Sequence, residues 1–524
     1  MIKLFNDIAA VEAAAARINE LLAAHSEWFI GAQNESMRAT SLRKGEFDVR
    51  IAQKRLILSY WNEAGAIHWR ITGWEWTGTK LVLEATRNLN RTCAVLEIIP
   101  RTDAKTIAAG ISATRRALCE QLALLASREA GGAQIEKARL SAGVRRDEPG
   151  RHARIILLSR TSRERIATTG YVTEANAGEA DALLSSALLW FLRVRERVTR
   201  PQARKLWLIV NSECLAAVRQ RVALLRDDLR DKIVLYEIDH DRQTLTHVAP
   251  LKESELWPEA RRRVRRPAKE FAAGDNAREI IAIAPEAIDV VRARHGETLR
   301  YHGLAFARVR RVMNQEHVWF GVDSRHRRLL SDNTTKEWRK LLADLIEHRH
   351  ANVSDNRHAL YRAAPEAWLE SMLRRDITRL DPGLIIAPLH AQFRAAQTST
   401  ENNNADRVSA ARSVDLLTLR RDGRLVVIEL KVNEDREHVL QGVDYWHRVE
   451  AYRRRGDIAH ARLFGDVVIA DEAPLVYLVA PTLRFHRAFQ TLAQCITPRI
   501  EIYRFDLNED WRAGVRVMRR ARVN

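Results

Sequence analysis

Cysteine is scarce in this chain, with four in 524 residues. Cys93, Cys119, Cys214 and Cys495 are far apart, and none belongs to a CxxC pair. Disulfide frameworks and zinc knuckles both depend on closely spaced cysteines. The sequence therefore excludes both as organising features, and it favours a reducing compartment such as the bacterial cytoplasm.

Nucleotide-binding motifs and long apolar runs are also missing. The sequence contains neither GxGxxG nor the Walker A pattern, so a nucleotide site has no support. The most apolar helical stretch, Ala182 to Val194, is shorter than the about 20 residues that a bilayer requires. Acidic residues interrupt the N-terminal helix-like segment, which is unlike a signal peptide. We expect a cytoplasmic protein with no membrane partner.

Acids are fewer than bases, 67 against 86, which gives a formal net charge of +19. Such an excess predicts a polyanionic partner, and we expect DNA. Free use of arginine by the genome is an alternative cause that the sequence leaves open. The densest basic run, Glu259 to Lys269, either binds backbone phosphates or forms a solvated linker helix. Its predicted nucleic-acid-binding residues are Arg261, Arg262, Arg263, Arg265, Arg266 and Lys269.

Two apolar runs near the C-terminus predict a β-hairpin around Arg421-Asp422-Gly423. A three-residue loop with Gly423 in the left-handed conformation would pair Arg420 with Arg424. Asp415 then lies opposite Glu429, and Lys431 shares their face because side chains alternate along a strand. A two-residue turn would instead point Asp415 to the other face. We predict the three-residue loop.

This register would bring two carboxylates to within roughly 5 Å of each other. They repel unless a cation or a proton lies between them. Charged groups on apolar strands are costly to bury, and a divalent metal together with a phosphate would offset that cost. The pattern thus favours a metal-dependent site for phosphate chemistry. The alternative is a half-exposed hairpin whose acids pair with lysines and arginines.

Two flanking helices carry further polar candidates. Pro365 to Leu380 has an amphipathic pattern in which Glu370 borders the buried face, whereas Glu366 is explained by its place at the helix N-terminus. A second helix is predicted from Arg436 to Tyr452, with Gln441 and Tyr445 one turn apart. These two are either site residues or, respectively, a surface and a core residue.

These residues resemble the motifs of the PD-(D/E)xK nuclease superfamily, most closely its RecB-type and archaeal mismatch-endonuclease-like domains. The resemblance covers about residues 366 to 446, with a looser extension to the C-terminus. It implies an α/β and α+β multidomain protein with a C-terminal restriction-endonuclease-like αβββαβ core. The matching residues are Glu370, then Asp415, then Glu429 with Lys431, then Gln441 with Tyr445.

The resemblance also implies a mechanism, namely magnesium- or manganese-dependent hydrolysis of phosphodiester bonds. Lys431 would orient or activate the attacking water, while Gln441 and Tyr445 would support the site or contact DNA. Endonuclease and exonuclease activity both remain open. So does a non-catalytic nucleic-acid-binding or scaffold protein that retains the nuclease fold. The implied metal ligands are Asp415, Glu429, the backbone carbonyl of Leu430, and Glu370.

Composition and element patterns divide the chain into four predicted domains. Residues 1–145 form an N-terminal α+β domain, and its sheet of tryptophans, tyrosine and arginines serves either as an aromatic core or as a stacking surface for nucleic acid. A protein partner or second copy could bind through the N-terminal domains. The other three are a small α/β domain at 146–275, a buttressing α+β segment at 276–360 and the nuclease-like domain at 361–524.

Periodicity predicts several individual elements outside the hairpin. An amphipathic helix over Asn6 to Ala24 should place Ile8, Val11, Ala15, Ile18 and Leu22 on one apolar face. The α/β domain should contain a small parallel sheet. Thr398 to Asp406 is expected to be a polar loop. Further predictions are helices at Asp103–Ala126, Cys214–Leu229, Thr335–His348 and Arg484–Gln494, and one strand over Leu299–Met313.

Overall fold

The computed structural model describes most of the chain. It falls into two compact units, residues 1–128 with 135–155 and 170–174, and residues 129–134 with 156–169 and 175–524. The described ranges are 3–5, 7–25, 27–32, 40–43, 46–62, 65–78, 80–87, 92–100, 104–143, 149–173, 176–196, 202–257, 273–293, 296–312, 315–323, 327–387 and 415–524. The predicted loop at 398–406 and the basic run at 259–269 lie outside these ranges, as does Asp103.

An antiparallel sheet dominates the N-terminal part. Its elements are β1 (Lys3–Leu4), α1 (Ile8–Ala23), β2 (Glu27–Ala32), β3 (Thr40–Arg43), β4 (Phe47–Ala52), β5 (Arg55–Asn62), β6 (Gly65–Trp76), β7 (Leu81–Arg87), β8 (Thr92–Pro100) and α2 (Ala104–Glu129). The strand order is β3-β2-β8-β7-β6-β5-β4, and β1 pairs with β6.

Helix α1 packs on this sheet through one apolar stripe. It begins at Asp7, whose carboxylate accepts the Ala10 N–H at 2.7 Å, as expected of an N-cap. Ile18 is fully buried in the core, but Ile8, on the predicted apolar face, is 43% exposed. Ile8 is the first residue of the helix.

The aromatic residues of the N-terminal sheet are largely part of its core. Tyr60 and Trp69 are buried, and Trp74 and Trp76 pack against the same cluster while partly buried. This supports the aromatic-core alternative for Tyr60 and Trp69. Stacking on nucleic acid by other residues of the sheet stays a prediction.

A second, mixed sheet follows. Its elements are β9 (Gln134–Ala142), β10 (Pro149–Leu158), β11 (Arg165–Tyr171), α3 (Ala180–Glu196), β12 (Ala203–Val210), α4 (Ser212–Ala223), α5 (Asp227–Arg230), β13 (Ile233–Asp239) and β14 (Thr244–Val248). The order is β14-β13-β12-β11-β10-β9. β12 and β13 are parallel, but β13 and β14 are antiparallel. The predicted parallel pairing is confirmed for β12 and β13, whereas β14 is antiparallel because a short turn rather than a helix joins it to β13.

A third sheet is a five-stranded antiparallel meander in the order β15-β16-β17-β18-β19. Its elements are α6 (Asp275–Ile283), β15 (Ile288–Ala293), β16 (Gly296–Tyr301), β17 (Leu304–Val312), β18 (Gln315–Phe320), β19 (Arg328–Leu329), α7 (Thr335–His348) and α8 (Ala359–Arg362). The predicted bounds of α7 are confirmed. The single strand expected over 299–313 is wrong, because His302 and Gly303 turn the chain with φ of +42° and +79°.

The fourth sheet contains the predicted hairpin and has the order β20-β21-β22-β23-β24-β25. β22, β23 and β24 run parallel, and the other neighbouring pairs are antiparallel. Its elements are α9 (Pro365–Arg375), β20 (Leu384–Ile386), β21 (Leu416–Arg420), β22 (Leu425–Leu430), α10 (His438–Arg454), α11 (Asp457–His460), β23 (Leu475–Pro481), α12 (Phe489–Ala493), β24 (Ile502–Leu507) and β25 (Val517–Arg522).

The hairpin of β21 and β22 has the predicted register. Leu416 lies opposite Ile428, and the Arg420 N–H donates to the Arg424 carbonyl at 2.8 Å. Gly423 closes the three-residue loop with a φ of +86°, and its N–H donates to the Arg420 carbonyl. The three-residue loop is confirmed, and it fixes which face each side chain takes.

The two faces of this sheet pack on different helices. Leu416 and Ile428 belong to a cluster that contains Trp368 of α9. Val427 belongs to another cluster that contains Tyr445 of α10. Because side chains alternate along a strand, odd-numbered positions of the hairpin share the α10 side.

Several predicted helices are shorter than expected. The helix predicted over 365–380 ends at Arg375 and is followed by a 3-10 turn, and that over 484–494 is reduced to Phe489–Ala493. The helix predicted over 214–229 breaks after Ala223, because Leu225 forms a bridge with Ile496. That pairing is made by a distant segment, which local periodicity does not reveal.

Candidate active site

The carboxylates of the hairpin meet at the carboxyl end of β22. Asp415 directly precedes β21, and its Oδ2 accepts the Leu430 N–H at 2.9 Å. The Leu430 N–H therefore bonds to a side chain where a strand would offer a backbone carbonyl. This bond holds the Asp415 carboxylate against the end of β22, beside Glu429, as the register predicts.

Glu429 is almost completely buried, with 2% of its surface exposed. Its Oε1 lies 2.9 Å from the Nζ of Lys431. Its Oε2 is also buried, yet it has no hydrogen-bond partner among the described residues. A buried carboxylate oxygen without a donor is costly. A proton shared with Asp415, or a bound cation, would satisfy that oxygen.

Burial and mutual repulsion perturb both acids. Burial raises the pKa of Asp415 to about 6, while the Leu430 N–H and the Lys431 charge act to lower it. Burial, followed by the charge of Asp415, raises the pKa of Glu429 well above its ordinary value. Such a pair favours a proton or a cation between its members. The site is therefore poised to bind positive charge.

The Lys431 side chain points to the same site and carries a positive charge. Burial acts to lower the pKa of Lys431, but Glu429 and then Asp435 outweigh it and raise the pKa. The Nζ lies 3.6 Å from the Asp435 carboxylate. Sequence reasoning missed Asp435, although its place four residues after Lys431 was a visible signal.

Glu370 approaches from α9, on the other side of the sheet. Its Oε1 lies 2.7 Å from Arg374, and its Oε2 lies 3.5 Å from Arg300. Arg374 in turn donates to the backbone carbonyl of Asp415 at 3.1 Å. Glu370 thus borders the site, and its charge contributes to the raised pKa of Asp415. Its role as a metal ligand stays a prediction, because both of its oxygens have arginine partners.

Helix α10 supplies Gln441 and Tyr445, both buried. The Oε1 of Gln441 is buried and has no hydrogen-bond partner among the described residues, and the predicted role of Gln441 in the site stays a prediction. Tyr445 packs in the apolar cluster with Leu417 and Val427, as the core alternative expects. Contact of either residue with DNA stays a prediction.

His438 is a further neighbour of the site that the sequence pattern did not reveal. Its Nε2 lies 3.2 Å from the backbone carbonyl of Glu429. Burial lowers the pKa of His438 to about 4, so the ring is neutral near pH 7. The ring N–H therefore donates to that carbonyl and holds the end of β22.

The metal prediction can be tested against the donor set. Within the described part of the chain, no group of three or more His, Cys, Asp or Glu side chains is arranged to hold an ion. The site offers two carboxylates, Asp415 and Glu429, beside the backbone of Leu430. Oxygen donors of this kind suit magnesium or manganese. Together with the unsatisfied Glu429 Oε2, they fit a hard divalent cation.

Comparisons with known proteins find no similar protein. No family model, curated protein or solved structure matches the chain. Among the described residues, no helix is long and apolar enough to cross a membrane.

Proposed function

We propose that this protein is a metal-dependent nuclease that hydrolyses phosphodiester bonds in DNA. The observation that carries the proposal is the convergence of Asp415, Glu429 and Lys431 on one spot at the end of β22. Two acids with raised pKa values and one ammonium form a site for a cation and a phosphate. An apolar hairpin has no structural need for them.

The order of elements supports a PD-(D/E)xK-type core. Helix α9 is followed by the antiparallel strands β20, β21 and β22, then by helix α10 and the parallel strand β23. This is the αβββαβ order that the sequence resemblance implies. Glu429 lies on β22, Asp415 directly precedes β21, and Gln441 lies on helix α10, in the order of that pattern.

The side chains have complementary roles in the proposed reaction. Asp415, Glu429 and the Leu430 carbonyl would hold the ion, which would acidify water and neutralise charge on the cleaved phosphate. Lys431 keeps its proton because its pKa is raised. It therefore acts as a hydrogen-bond donor that orients the attacking water and stabilises the developing phosphate charge. Arg374 positions Asp415 through its backbone carbonyl.

DNA is the proposed substrate because the chain carries a net charge of +19. Counterion release by such a surface gives affinity for phosphate backbones of any sequence. The six basic residues between 261 and 269 are proposed to contribute to this binding. We also propose a cytoplasmic location, which the scarcity and wide spacing of the cysteines support.

The direct test is cleavage of a panel of DNA and RNA structures with and without magnesium. Lys431→Ala and Glu429→Gln should each lower the rate by about 100-fold or more, the scale for losing one charge-stabilising group. Glu434→Gln is the matched control, because Glu434 is exposed and follows the same strand. Undiminished cleavage by Glu429→Gln would remove the proposal.

A second candidate is a non-catalytic nucleic-acid-binding or scaffold protein with the same fold. It is favoured by the partners of the acids, since Lys431 already bonds to Glu429 and two arginines hold Glu370. This candidate predicts DNA binding that weakens steeply with salt, without magnesium-dependent cleavage. Gel shifts at two salt concentrations, run beside the cleavage assay, distinguish the two.

A further inference from the structure

A small polar pocket opens just beyond the end of β22. Its lining includes Val432 and Asn433, which directly follow Lys431, and Pro481 at the end of β23. These residues lie at the edge where the parallel strands end, which is where ligands commonly bind in such sheets. The volume is about 240 Å³. Because drug-sized ligands occupy about 300–1,000 Å³, this pocket suits a smaller group.

Arginines from three separate segments line this pocket, namely Arg362, Arg484 and Arg512. One acid, Glu509, also lines it, but its Oε1 accepts the Leu483 N–H at 2.7 Å. The Nε of Arg484 lies 3.8 Å from Glu509, beyond hydrogen-bond length. Among the described residues no carboxylate forms an ion pair with Arg362 or Arg512. The guanidinium groups are therefore able to bind an added anion.

Aromatic rings fix the position of Arg512. Its guanidinium carbon lies 4.3 Å from the ring centroid of Trp511 and 4.5 Å from that of Tyr361. Its buried Nε has no hydrogen-bond partner among the described residues. A stacked guanidinium is preorganised, so less conformational entropy is lost when it binds phosphate.

Further positive charge lies behind this pocket. Arg349 is fully buried, and its guanidinium stacks on Trp368 and donates to backbone carbonyls. Burial, followed by the charge of Arg512, lowers the pKa of Arg349 to about 9. The acids Glu509 and Glu366 face these groups. Four arginines against two glutamates leave an excess of two positive charges. A phosphate monoester carries about −1.5 to −2 near pH 7 and matches that excess.

We propose that this pocket binds the terminal phosphate of a nucleic-acid strand whose backbone continues to the acidic centre. The inference rests on the proposed function and deepens it, since it makes the protein a nuclease that acts at phosphorylated strand ends. Val432 and Asn433, which line the pocket, directly follow Lys431 just after the end of β22. The cleaved bond is therefore expected within a few nucleotides of the end.

The charge and size of the pocket favour a terminal over an internal phosphate. An internal diester carries a single negative charge and must extend in two directions. The pocket is small, and Pro365 and Trp511 contribute to its walls. A monoester supplies the second charge and needs only one exit for the strand.

The test measures binding by the full-length protein in EDTA, where cleavage plays no part. Fluorescence anisotropy compares matched oligonucleotides with a 5′-phosphate, a 3′-phosphate or hydroxyls at both ends. One phosphorylated form should bind about tenfold more tightly than the hydroxyl form, the scale of one additional charged hydrogen bond. Arg484→Gln and Arg362→Gln should each reduce that preference, whereas Arg487→Gln, an exposed neighbour outside the pocket, should retain it.

The outcomes separate this inference from the proposed function. A phosphate preference without magnesium-dependent cleavage would keep the pocket assignment and reject the nuclease. Cleavage of internal sites with no preference for a phosphorylated end would reject the pocket assignment. If inorganic phosphate competes as strongly as the oligonucleotide, the pocket is a site for free phosphate, and the proposal that it binds the end of a strand is wrong. Retention of the preference in both Arg484→Gln and Arg362→Gln would also overturn it.

Discussion

Replacing Asp415 by asparagine should stabilise the protein when no metal is present. Asparagine keeps the shape of the side chain, and its Oδ1 can still accept the Leu430 N–H. It removes one of the two negative charges that burial and mutual repulsion make unfavourable. A residue proposed as a metal ligand should thus lower stability in the metal-free state, as expected of a site that binds a cation.

The size and sign of the effect follow from the pKa of Asp415, which rises from 3.8 to about 6 on folding. One unit corresponds to about 1.4 kcal/mol, so the difference amounts to about 3 kcal/mol. A group whose pKa is higher in the folded state makes its full contribution to the free energy of unfolding below its unfolded pKa. That contribution is lost as the pH rises through the folded pKa. The wild type should therefore equal Asp415→Asn near pH 4 and be less stable above pH 6.

Hydrogen exchange of peptides from β21 and β22, corrected for the intrinsic pH dependence, reports the local opening free energy. In EDTA at pH 8, Asp415→Asn should exchange more slowly than wild type, and near pH 4 the difference should largely vanish. Magnesium should slow exchange in the wild type only. Glu434→Gln, an exposed acid nearby, should behave as wild type. Faster exchange by Asp415→Asn at pH 8 would refute this account of the site.

Two further substitutions test the framework around the site. Gly423→Ala should destabilise the hairpin by at least about 1–2 kcal/mol, because φ is +86° and the new Cβ would lie 2.6 Å from the Val468 carbonyl oxygen. Unchanged stability to urea would contradict the left-handed loop. Arg221→Gln should lower the free energy of unfolding by about 3–5 kcal/mol, because it leaves Asp181 and Asp444 buried without their shared partner. A loss below about 1 kcal/mol in the same assay would show that water already solvates these carboxylates.

The sequence was sufficient to predict the hairpin because its rules are local. Strand alternation has a period of two, and Gly423 selects the loop length, so one choice of loop determined the register. The facing of Asp415 and Glu429 follows from that register. Helices α1 and α7 were also found, because one apolar stripe defines each of them.

Other parts of the site depend on contacts that no local rule supplies. Arg374 and Asp435 each lie four residues from a predicted site residue, and helical or loop spacing could have identified them. Arg300 reaches Glu370 from a strand 70 residues earlier. The arginine pocket is assembled from segments near 362, 484 and 512. Such neighbours are set by how the sheets pack, which hydrophobic periodicity does not specify.

The burial of α10 determines how nucleic acid can approach the acidic centre. Every residue from His438 to Tyr452 is buried, so this helix lacks the polar face that Gln441 would have on a surface helix. Helix α4 covers it, since Arg221 lies 3.3 Å from Asp444 and Gln220 bonds to His447. Moving that layer aside would expose Val218 and Val222, which α4 buries, at a cost of about 1.5–3 kcal/mol for each side chain. The helix side of the sheet is thus closed, and the carboxyl edge with its arginine pocket remains as the approach for a phosphate backbone.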